Sequence, residues 1–557
     1  MKRRQFIGAA VATGGALLVQ STQRTWGRKL LSLMPTAQGS DSRIEVLTAE
    51  PVGTIAPEIY GHFAEHLGAV IYDGIWVGEK SKIPNIAGIR KALVDALLKI
   101  KPSVIRWPGG CFADSYDWRD GIGPRDKRPR RTNFWVDAGE WPKDAPDGPW
   151  KYDTNEFGTD DFLRFCKLSN AQPYIAANLR SLTAKDFYQW VEYCNSPAGT
   201  TTLGDIRSDK DGTKVRYWGI GNESWGCGGN FTPEEYAAEY RRFTAWVPRY
   251  GVNLAFVGAG PNGADLDWTR RFFSKLNERR AFGAMWGWAM HHYSWNVSSG
   301  RTTDWRLGKG DAVNYNEEEW YELLHEADRI EGMITECWNV MGEFDRTHRV
   351  KLVVDEWGAW FKPGSEVNNT HLLGQQSTIR DAILAGQTLD TFHRHADKVG
   401  MAAIAQLVNC LQSLFLTHED KFIVTPTYHV FDMYSVHQGK TALRTVVTSP
   451  KPSYTRNGQP ATLRGLNGSA SLDGKRLVIT VTNPDLKATR ETEIAVRGAS
   501  IKSVKGTILT ASDMHSHNSF ADPNQIQPKD ANVSLTAGSL VYKFAPASVT
   551  RLDIELA

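Results

Sequence analysis

The sequence has few cysteines, almost no net charge and no long apolar stretch suited to crossing a membrane. It contains 6 Cys in 557 residues, and none of their spacings is typical of a zinc site. Neither a disulfide framework nor a zinc module is therefore expected. The 65 basic and 62 acidic residues leave a net charge of +3, which gives no electrostatic case for a nucleic-acid partner. The sequence also lacks internal repeats and low-complexity tracts.

What the chain has in quantity is length, apolar residues and tryptophan. At 557 residues it exceeds one ordinary domain, so two domains are expected. Hydrophobic residues at 41% and charged residues at 23% are typical of a globular protein. The 20 Trp are of interest because indole rings pack on the C–H faces of sugars, although most are expected to lie in the core.

The N-terminus is predicted to be an export signal. Arg3-Arg4 precedes Phe6-Ile7 and an apolar run to about residue 19, a pattern that resembles a twin-arginine signal. The run is too short, and too rich in Gly and Ala, for a membrane span. Residues 1–38 are excluded from the fold, and a periplasmic or extracellular location is expected. No Ala-x-Ala site precedes Ser40, so an uncleaved anchor stays open.

Apolar, β-branched segments alternate with helical patterns through most of the chain. The clearest helix start is Thr232-Pro233-Glu234-Glu235, a capping box with proline at the first helical position, and residues 317–344 have helical periodicity. Eight strands separated by helices predict a (β/α)8 TIM barrel. The predicted barrel strands lie near residues 59–63, 103–107, 173–178, 215–221, 253–258, 286–292, 351–355 and 401–407.

The C-terminal part has the pattern of an all-β sandwich. Residues 477–482, 493–496 and 552–556 read as strands, and the last alternates apolar and polar side chains. An early strand at residues 43–48 is expected to join this sandwich. The predicted organisation is a leader at 1–38, leading strands at 39–60, the barrel at 61–430 and the sandwich at 431–557.

Two of the predicted strands end in carboxylates beside tryptophans. One ends at Asn222-Glu223, with Trp225 following, and the other ends at Asp355-Glu356. In a parallel barrel such strand ends meet at the catalytic face. A pair of carboxyl groups, one protonated and one ionised, is what glycoside hydrolysis needs. The alternative for each is a solvated glutamate at an ordinary strand end.

A long insertion follows the second predicted barrel strand. Residues 111–150 are rich in Pro, Gly, Asp and Arg, and carry Trp118, Trp135, Trp141 and Trp150. Loops of this length are usually functional or disordered, so the segment is predicted to form a wall or lid beside a substrate, with a solvated insertion as the alternative. Cys111 and Cys227 fall in loops at the same face, where pairing, simple proximity and free thiols all stay open.

Six motifs in order resemble glycoside hydrolase family 51, the α-L-arabinofuranosidases, across about residues 45–430. This resemblance implies a retaining mechanism in a (β/α)8 barrel followed by an accessory sandwich. One departure is Cys111, which stands where many members have Asn, and the residues after Glu223 also vary; both bear on specificity. The motifs are Gly61-His-Phe-Ala-Glu65-His66-Leu-Gly, Arg106-Trp-Pro-Gly-Gly110, Gly221-Asn222-Glu223, His291-His-Tyr293, Asp355-Glu356-Trp357 and Gln406-Leu-Val-Asn409.

The resemblance also implies the site residues. Glu223 is expected to be the general acid/base and Glu356 the nucleophile, with their carboxyl groups about 5–5.5 Å apart. Tyr293 is expected to hydrogen-bond Glu356. For His291 a structural role is the alternative, and a buried Gln406 needs a polar partner. The expected substrate-binding residues are Glu65, Asn222, His291, Tyr293, Trp360 and Gln406, and further candidates are Cys111, Trp118 and Trp225.

The expected activity is exo-acting, retaining hydrolysis of terminal α-L-arabinofuranosyl residues from plant-type poly- and oligosaccharides, with water as the second substrate. This chemistry needs no metal or organic cofactor. The alternatives are a related retaining glycosidase that cleaves β-glucans or β-xylans, and a non-catalytic sugar-binding protein. No integral membrane domain is expected, and a homo-oligomer is compatible with the sequence.

Overall fold

The first part of the chain alternates strands with helices, and the C-terminal part consists of strands. The computed structural model describes residues 40–136, 151–209, 214–279, 281–295, 297, 307–365, 367, 371–536 and 539–557. The predicted leader at 1–38, together with Trp141 and Trp150 of the insertion, lies outside these residues.

The strands share two main assemblies, a closed barrel and a ten-stranded sheet, with short hairpins between them. In chain order they are β1 (Ser42–Thr54), β2 (Gly61–Phe63), β3 (Asn85–Ile86), β4 (Ile89–Arg90), β5 (Val104–Trp107), β6 (Arg131–Thr132), β7 (Tyr152–Asp153), β8 (Gln172–Ala177), β9 (Tyr217–Ile220), β10 (Ala255–Gly258), β11 (Met285–Ser294), β12 (Lys351–Ala359), β13 (Val399–Ala405), β14 (Phe415–His418), β15 (Lys421–Val424), β16 (Thr441–Thr448), β17 (Ser453–Arg456), β18 (Gln459–Thr462), β19 (Asn467–Asp473), β20 (Arg476–Asn483), β21 (Arg490–Arg497), β22 (Ile501–Thr510), β23 (Lys529–Ala531), β24 (Leu535–Thr536), β25 (Ser539–Phe544) and β26 (Ser548–Leu556).

The helices are α1 (Lys91–Ile100), α2 (Thr159–Ser169), α3 (Ala184–Asn195), α4 (Thr202–Ile206), α5 (Pro233–Thr244), α6 (Leu266–Asn277), α7 (Glu317–Asp328), α8 (Ile330–Gly342), α9 (Ile379–Arg394) and α10 (Pro426–Tyr434). Helices α1 to α9 lie between successive barrel strands in the chain, and α10 follows the last barrel strand. Short 3-10 helices occur at Pro57–Tyr60, Ala113–Ser115, Trp118–Gly121, Arg125–Lys127, Phe134–Val136, Ala281–Ala284 and Ser435–His437.

The closed barrel has eight strands in the order β2-β5-β8-β9-β10-β11-β12-β13, and all neighbouring pairs are parallel. Each overlaps one of the eight predicted segments, which confirms the predicted barrel. The capping box of α5 also forms, since Thr232 Oγ1 accepts from the N–H of Glu235 and the Glu235 carboxylate accepts from the N–H of Thr232. The helical periodicity predicted for residues 317–344 corresponds to two helices, α7 and α8, with Arg329 between them.

The C-terminal strands form the predicted β-sandwich around their own core. The sheet order is β23-β22-β26-β20-β19-β16-β1-β21-β25-β24, so β1 lies in its middle although it precedes the barrel in the chain. It pairs antiparallel with β16 and parallel with β21. Alternate side chains from both halves of the sheet, such as Ile44, Ile479, Phe544 and Ile554, meet in one buried cluster.

Helix α9 connects the barrel to the sandwich. Residues Ile379 to His393 of this helix are buried, because strands β12, β19 and β20 all pack against it. Its Asp390 accepts hydrogen bonds from Ser469 Oγ (2.7 Å) and Thr480 Oγ1 (2.6 Å) of the sandwich. The two domains therefore share a buried helix and are expected to unfold together.

Two helical glycines test this junction. A Cβ at Gly386 in α9 would lie 2.7 Å from Thr482 Cγ2, whereas a Cβ at Gly332 in α8 would meet nothing within 4 Å. We expect Gly386→Ala to lower the free energy of unfolding by about 1–3 kcal/mol through overpacking. Gly332→Ala should raise it by about 0.5–1 kcal/mol, because alanine favours the helix. Urea unfolding midpoints give both values, and equal effects of the two substitutions would contradict the tight packing at α9.

Candidate active site

Polar side chains from most barrel strands converge at the carboxyl-terminal face. Some lie within their strands and others just beyond the carboxyl-terminal ends, where a parallel barrel places its catalytic residues. The group consists of Glu65 after β2, Arg106 in β5, Tyr174 in β8, Asn222 and Glu223 after β9, His291 and Tyr293 in β11, Asp355 and Glu356 in β12, and Gln406 after β13.

Arg106 lies at the buried centre of this group. Its Nη1 donates to Glu356 Oε1 and its Nη2 donates to Asn222 Oδ1, both at 2.6 Å, while Nε lies 3.5 Å from Asp355 Oδ2. Burial by itself would lower the pKa of the guanidinium, but the charges of Asp355 and Glu356 raise it above its usual value. Arg106 therefore remains charged and joins three strands.

A β-bulge in β12 brings two consecutive carboxylates to the same site. Regular alternation would send Asp355 and Glu356 to opposite faces. The pairing of β12 gains one extra residue at this point against both β11 and β13. Such a bulge redirects side chains next to a site. Asp355 consequently accepts a 2.8 Å hydrogen bond from Tyr174, and Glu356 accepts one of 2.8 Å from Tyr293, the contact predicted for that tyrosine.

His291 lies between three carboxylates. Its Nδ1 is 2.9 Å from Glu223 Oε1 and 3.5 Å from Glu356 Oε2, and its Nε2 is 3.2 Å from Asp355 Oδ1. Burial lowers the pKa of His291, but the charge of Glu356 and the hydrogen bonds to Asp355 and Glu223 outweigh it and raise the pKa to about 10. At neutral pH His291 is therefore an imidazolium that donates from both ring nitrogens.

Glu65 and Gln406 are joined to each other by two hydrogen bonds. Gln406 Nε2 donates to Glu65 Oε2 (2.9 Å), and the backbone N–H of Glu65 donates to Gln406 Oε1 (3.2 Å). The N–H groups of Gly110 and Phe112 donate to Glu65 Oε1. Burial and the nearby charge of Glu356 still raise the pKa of Glu65 to about 7. The polar partner expected for Gln406 is thus Glu65.

The turn after β9 presents Asn222 and Glu223. The N–H of Asn222 donates to Asp114 Oδ2, a buried carboxylate that also accepts from Leu179. Glu223 has a φ of 35°, in the left-handed region that non-glycine residues seldom occupy. Gly228 packs so closely that a Cβ there would lie 1.6 Å from the backbone carbonyl oxygen of Asn222. The turn is therefore fixed by its surroundings.

The two glutamates predicted to be catalytic face each other. A carboxylate oxygen of Glu223 lies within 4.8 Å of one of Glu356, and His291 contacts both carboxylates. Inverting glycosidases separate their carboxyl groups by about 6.5–9.5 Å, whereas retaining enzymes hold them about 5–5.5 Å apart. The spacing here fits the retaining arrangement.

Cys111 and Cys227 form a disulfide between the loop after β5 and the turn after β9. This settles the question that the sequence left open. Cys227 Sγ lies 3.6 Å and Cys111 Sγ 3.9 Å from Glu223 Oε2. The sulfur pair thus borders the Glu223 carboxylate on the side away from His291.

The tryptophan candidates separate into different environments. Trp118 is 1% exposed, stacks on Trp190 of α3 and donates to the Asp186 oxygen, so it packs on helix α3 and does not join the carboxylates. Trp360 packs edge-on against Tyr293 at 5.1 Å between ring centroids, and Lys309 Nζ lies 3.9 Å from the centre of its ring. Trp225 is half-buried in the turn that carries Glu223.

Family models and related sequences agree with this geometry. Residues 96–306 match the family model of the alpha-L-arabinofuranosidase 1 domain, and residues 355–548 match that of the alpha-L-arabinofuranosidase C-terminal domain. An intracellular exo-alpha-L-arabinofuranosidase of Bacteroides ovatus is 37% identical over 507 residues, which cover 90% of this chain and 93% of the relative. The chain belongs to glycoside hydrolase family 51. It is thus a glycoside hydrolase, as the resemblance implied.

A solved structure of the family shares the whole architecture. The GH51 arabinofuranosidase from Xanthomonas axonopodis pv. citri has a TM-score of 0.84 at 32% identity, and the match covers 93% of this chain and 100% of that one. An intracellular exo-alpha-(1->5)-L-arabinofuranosidase of Streptomyces lividans is 25% identical over 526 residues, covering 91% of this chain and 74% of the relative.

The prediction of export is wrong by the same comparisons. The relatives from Bacteroides ovatus and Streptomyces lividans are both named intracellular, which points against export. Two arginines followed by apolar residues form a short pattern that occurs readily by chance. It is therefore weaker evidence on location than the names of relatives that match most of the chain. Among the residues that the structure describes, none of the helices has the length and apolarity to cross a membrane.

Several residues of the site were missing from the sequence-based set. Arg106 and Asp355 appeared only within motifs, and Asp114 and Tyr174 did not appear at all. For Arg106 and Asp355 a charged residue within an apolar strand was the available signal, because such a residue needs a partner. Which partner it has depends on contacts between strands, which the local pattern does not contain. Asp114 lies in a 3-10 helix and Tyr174 inside β8, and neither position gave a comparable signal.

Proposed function

We propose that this enzyme removes terminal α-L-arabinofuranosyl residues from arabinose-containing oligo- and polysaccharides by double displacement, with retention of configuration. The observation that carries the proposal is the approach of the Glu223 and Glu356 carboxylates to within 4.8 Å in a barrel of this family. Water is the second substrate.

Glu356 is the nucleophile of this proposal. It accepts from Arg106 at one oxygen and from Tyr293 at the other, and these donors stabilise its negative charge. Its side chain is 7% exposed. In the first step a Glu356 oxygen bonds to the anomeric carbon, and the bond from that carbon to the leaving oxygen breaks.

Glu223 is the acid in the first step and the base in the second. Its side chain is 20% exposed, more than that of Glu356, as expected for the group that meets the leaving sugar and the incoming water. It gives its proton to the leaving oxygen. It then takes a proton from the water whose oxygen attacks the anomeric carbon and releases Glu356.

His291 shares a proton with Glu223 in this scheme. The imidazolium Nδ1 donates to Glu223, and Asp355 holds the opposite ring nitrogen. As Glu223 gives a proton to the leaving oxygen, His291 can pass its own across the 2.9 Å hydrogen bond. His291 is thus a positioning residue that supplies a proton through Glu223.

The remaining polar groups fit the sugar hydroxyls. Asn222 is held by Arg106 and can reach the 2-hydroxyl, a contact that can strengthen in the transition state. Glu65 and Gln406 offer acceptors and donors whose geometry their mutual hydrogen bonds fix. Gly110 leaves room for the sugar, since a Cβ there would lie 2.8 Å from Glu356 Oε1.

A panel of nitrophenyl glycosides tests the substrate. We expect the α-L-arabinofuranoside to be hydrolysed with a kcat/KM at least about 100-fold above those of the β-D-glucoside and β-D-xyloside, because a pocket built to hydrogen-bond one sugar leaves its polar groups unpaired with another. Preference for a β-glucoside or β-xyloside would favour the related glycosidases, and no turnover of any glycoside would favour a binding protein.

Alanine substitutions should separate the roles of the two glutamates. Glu356→Ala should lose turnover on every substrate, because no covalent intermediate can form. Glu223→Ala should lose most activity on natural arabinosides, whose leaving oxygen needs a proton, but should still release nitrophenol in a burst. Added azide should then restore turnover of Glu223→Ala and give an azide adduct of retained configuration.

The exposed Glu336 on α8 provides the control for these two variants, and Glu336→Ala should behave like the wild type. If both site variants respond alike to leaving group and azide, the two roles are wrongly assigned.

The pH profile tests the proton shared with His291. In the wild type His291 keeps its second ring proton until the pH approaches its pKa of about 10. The substitution His291→Gln removes this ionisable ring and its proton. We expect the alkaline limb of kcat/KM on a natural arabinoside to move to lower pH by about one unit or more. The limb should move less on a nitrophenyl substrate, and an unchanged limb would assign His291 a purely structural role.

A further inference from the structure

Three side chains of metal-binding type meet on loops outside the catalytic group. Asp73 lies in the loop between β2 and β3, His371 in the loop between β12 and α9, and His418 at the end of β14. One ligand atom from each lies within 4.8 Å of those of the other two. The three residues come from separate parts of the chain, so the fold and not local sequence brings them together.

The spacing suits a tetrahedral metal ion. Zinc bound at about 2.0–2.2 Å by histidine nitrogen and carboxylate oxygen places neighbouring ligand atoms about 3.3–3.5 Å apart. His371 Nε2 lies 3.5 Å from Asp73 Oδ2. The rings of His371 and His418 are 5.7 Å apart between centroids and inclined at 75°. Two imidazoles on one zinc ion have their ring centres about 5 Å apart, so a small adjustment completes the site.

Hydrogen bonds orient the Asp73 carboxylate toward His371. The N–H of Glu419 donates to Oδ1 at 3.1 Å and to Oδ2 at 3.3 Å, and Arg90 Nη2 donates to Oδ1 at 3.2 Å. Arg90 also donates to the backbone oxygens of Asp73 and Glu419. Hydrogen bonds of this kind to a ligating side chain fix its orientation in metal sites.

We propose that Asp73, His371 and His418 bind one zinc ion, with water as the fourth ligand. The ion joins the loops that follow β2 and β12 to the end of β14. The first of these loops also carries Glu65. Its role is structural, since hydrolysis by the glutamate pair needs no metal. A plain ion pair between His371 and Asp73 is the alternative.

The test uses the full chain dialysed against EDTA and then given zinc chloride without reductant. We expect one zinc ion per chain by calorimetry and elemental analysis, with an upward shift of the Tm. His371→Gln and His418→Gln should each weaken zinc binding by about 30-fold or more and abolish the Tm shift. An ion pair alone would give no zinc-dependent shift in the wild type.

Two variants test whether zinc binds at His515 or at the catalytic group instead. His515 lies 3.0 Å from Asp513 in an exposed pair, and the structure assigns no third ligand to it among the residues described, so His515→Gln should bind zinc like the wild type. Glu223→Gln should also keep the Tm shift. If Glu223→Gln abolishes binding while His371→Gln keeps it, the ion occupies the catalytic group and the proposal is wrong.

Cobalt provides a readout that does not depend on the folding of a variant. Tetrahedral Co²⁺ bound to the wild type should give visible absorption bands, and one equivalent of zinc should remove them. Absence of these bands, or weak bands of an octahedral ion, would overturn the proposed ligand set even where the histidine variants fail to fold.

Discussion

The buried guanidinium of Arg106 is the interaction on which the rest of the site depends. It is 1% exposed and contacts Glu356, Asn222 and Asp355, which come from two other barrel strands or their ends. Two adjacent carboxylates in a buried site would otherwise repel each other and favour protonation. The positive charge of Arg106 helps to hold the pKa of Asp355 below its usual value, although burial alone would raise it, and the charges of Asp355 and Glu356 raise the pKa of Arg106 in turn. Removing one member leaves the others buried without compensation, which is far more costly than losing a surface ion pair.

Periodicity and strand ends were enough to predict the barrel, the sandwich and the position of both glutamates. A residue at the end of a parallel barrel strand must lie at the carboxyl-terminal face, so Glu223 and Glu356 could be placed without their neighbours. Contacts between strands could not be read in this way. Alternation would direct Asp355 away from Glu356, and the bulge that reverses this depends on pairing with β11 and β13. Trp118 likewise is of a residue type that often binds sugars, but its packing on α3 determines its position.

The two glutamates differ because their surroundings differ. Glu356 accepts from Arg106 and Tyr293 and is the more buried, so its charge is held in one orientation. Glu223 lacks an arginine partner among the contacts described; it meets His291 on one side and the Cys111–Cys227 sulfurs on the other. A group held by fixed donors suits attack on carbon, whereas a group beside a titratable ring suits exchange of protons.

His291 couples the two halves of the reaction through charge. The charge of Glu356 is the largest of the influences that raise the pKa of His291. In the proposed mechanism that charge disappears when Glu356 forms its ester with the sugar, so the pKa of His291 falls while a proton must pass to the leaving oxygen. When water attacks and Glu356 leaves as a carboxylate, the charge returns and the pKa of His291 rises again. The same electrostatic contact therefore favours proton release in the first step and proton recovery in the second, as a reaction that passes through one intermediate by mirrored steps requires.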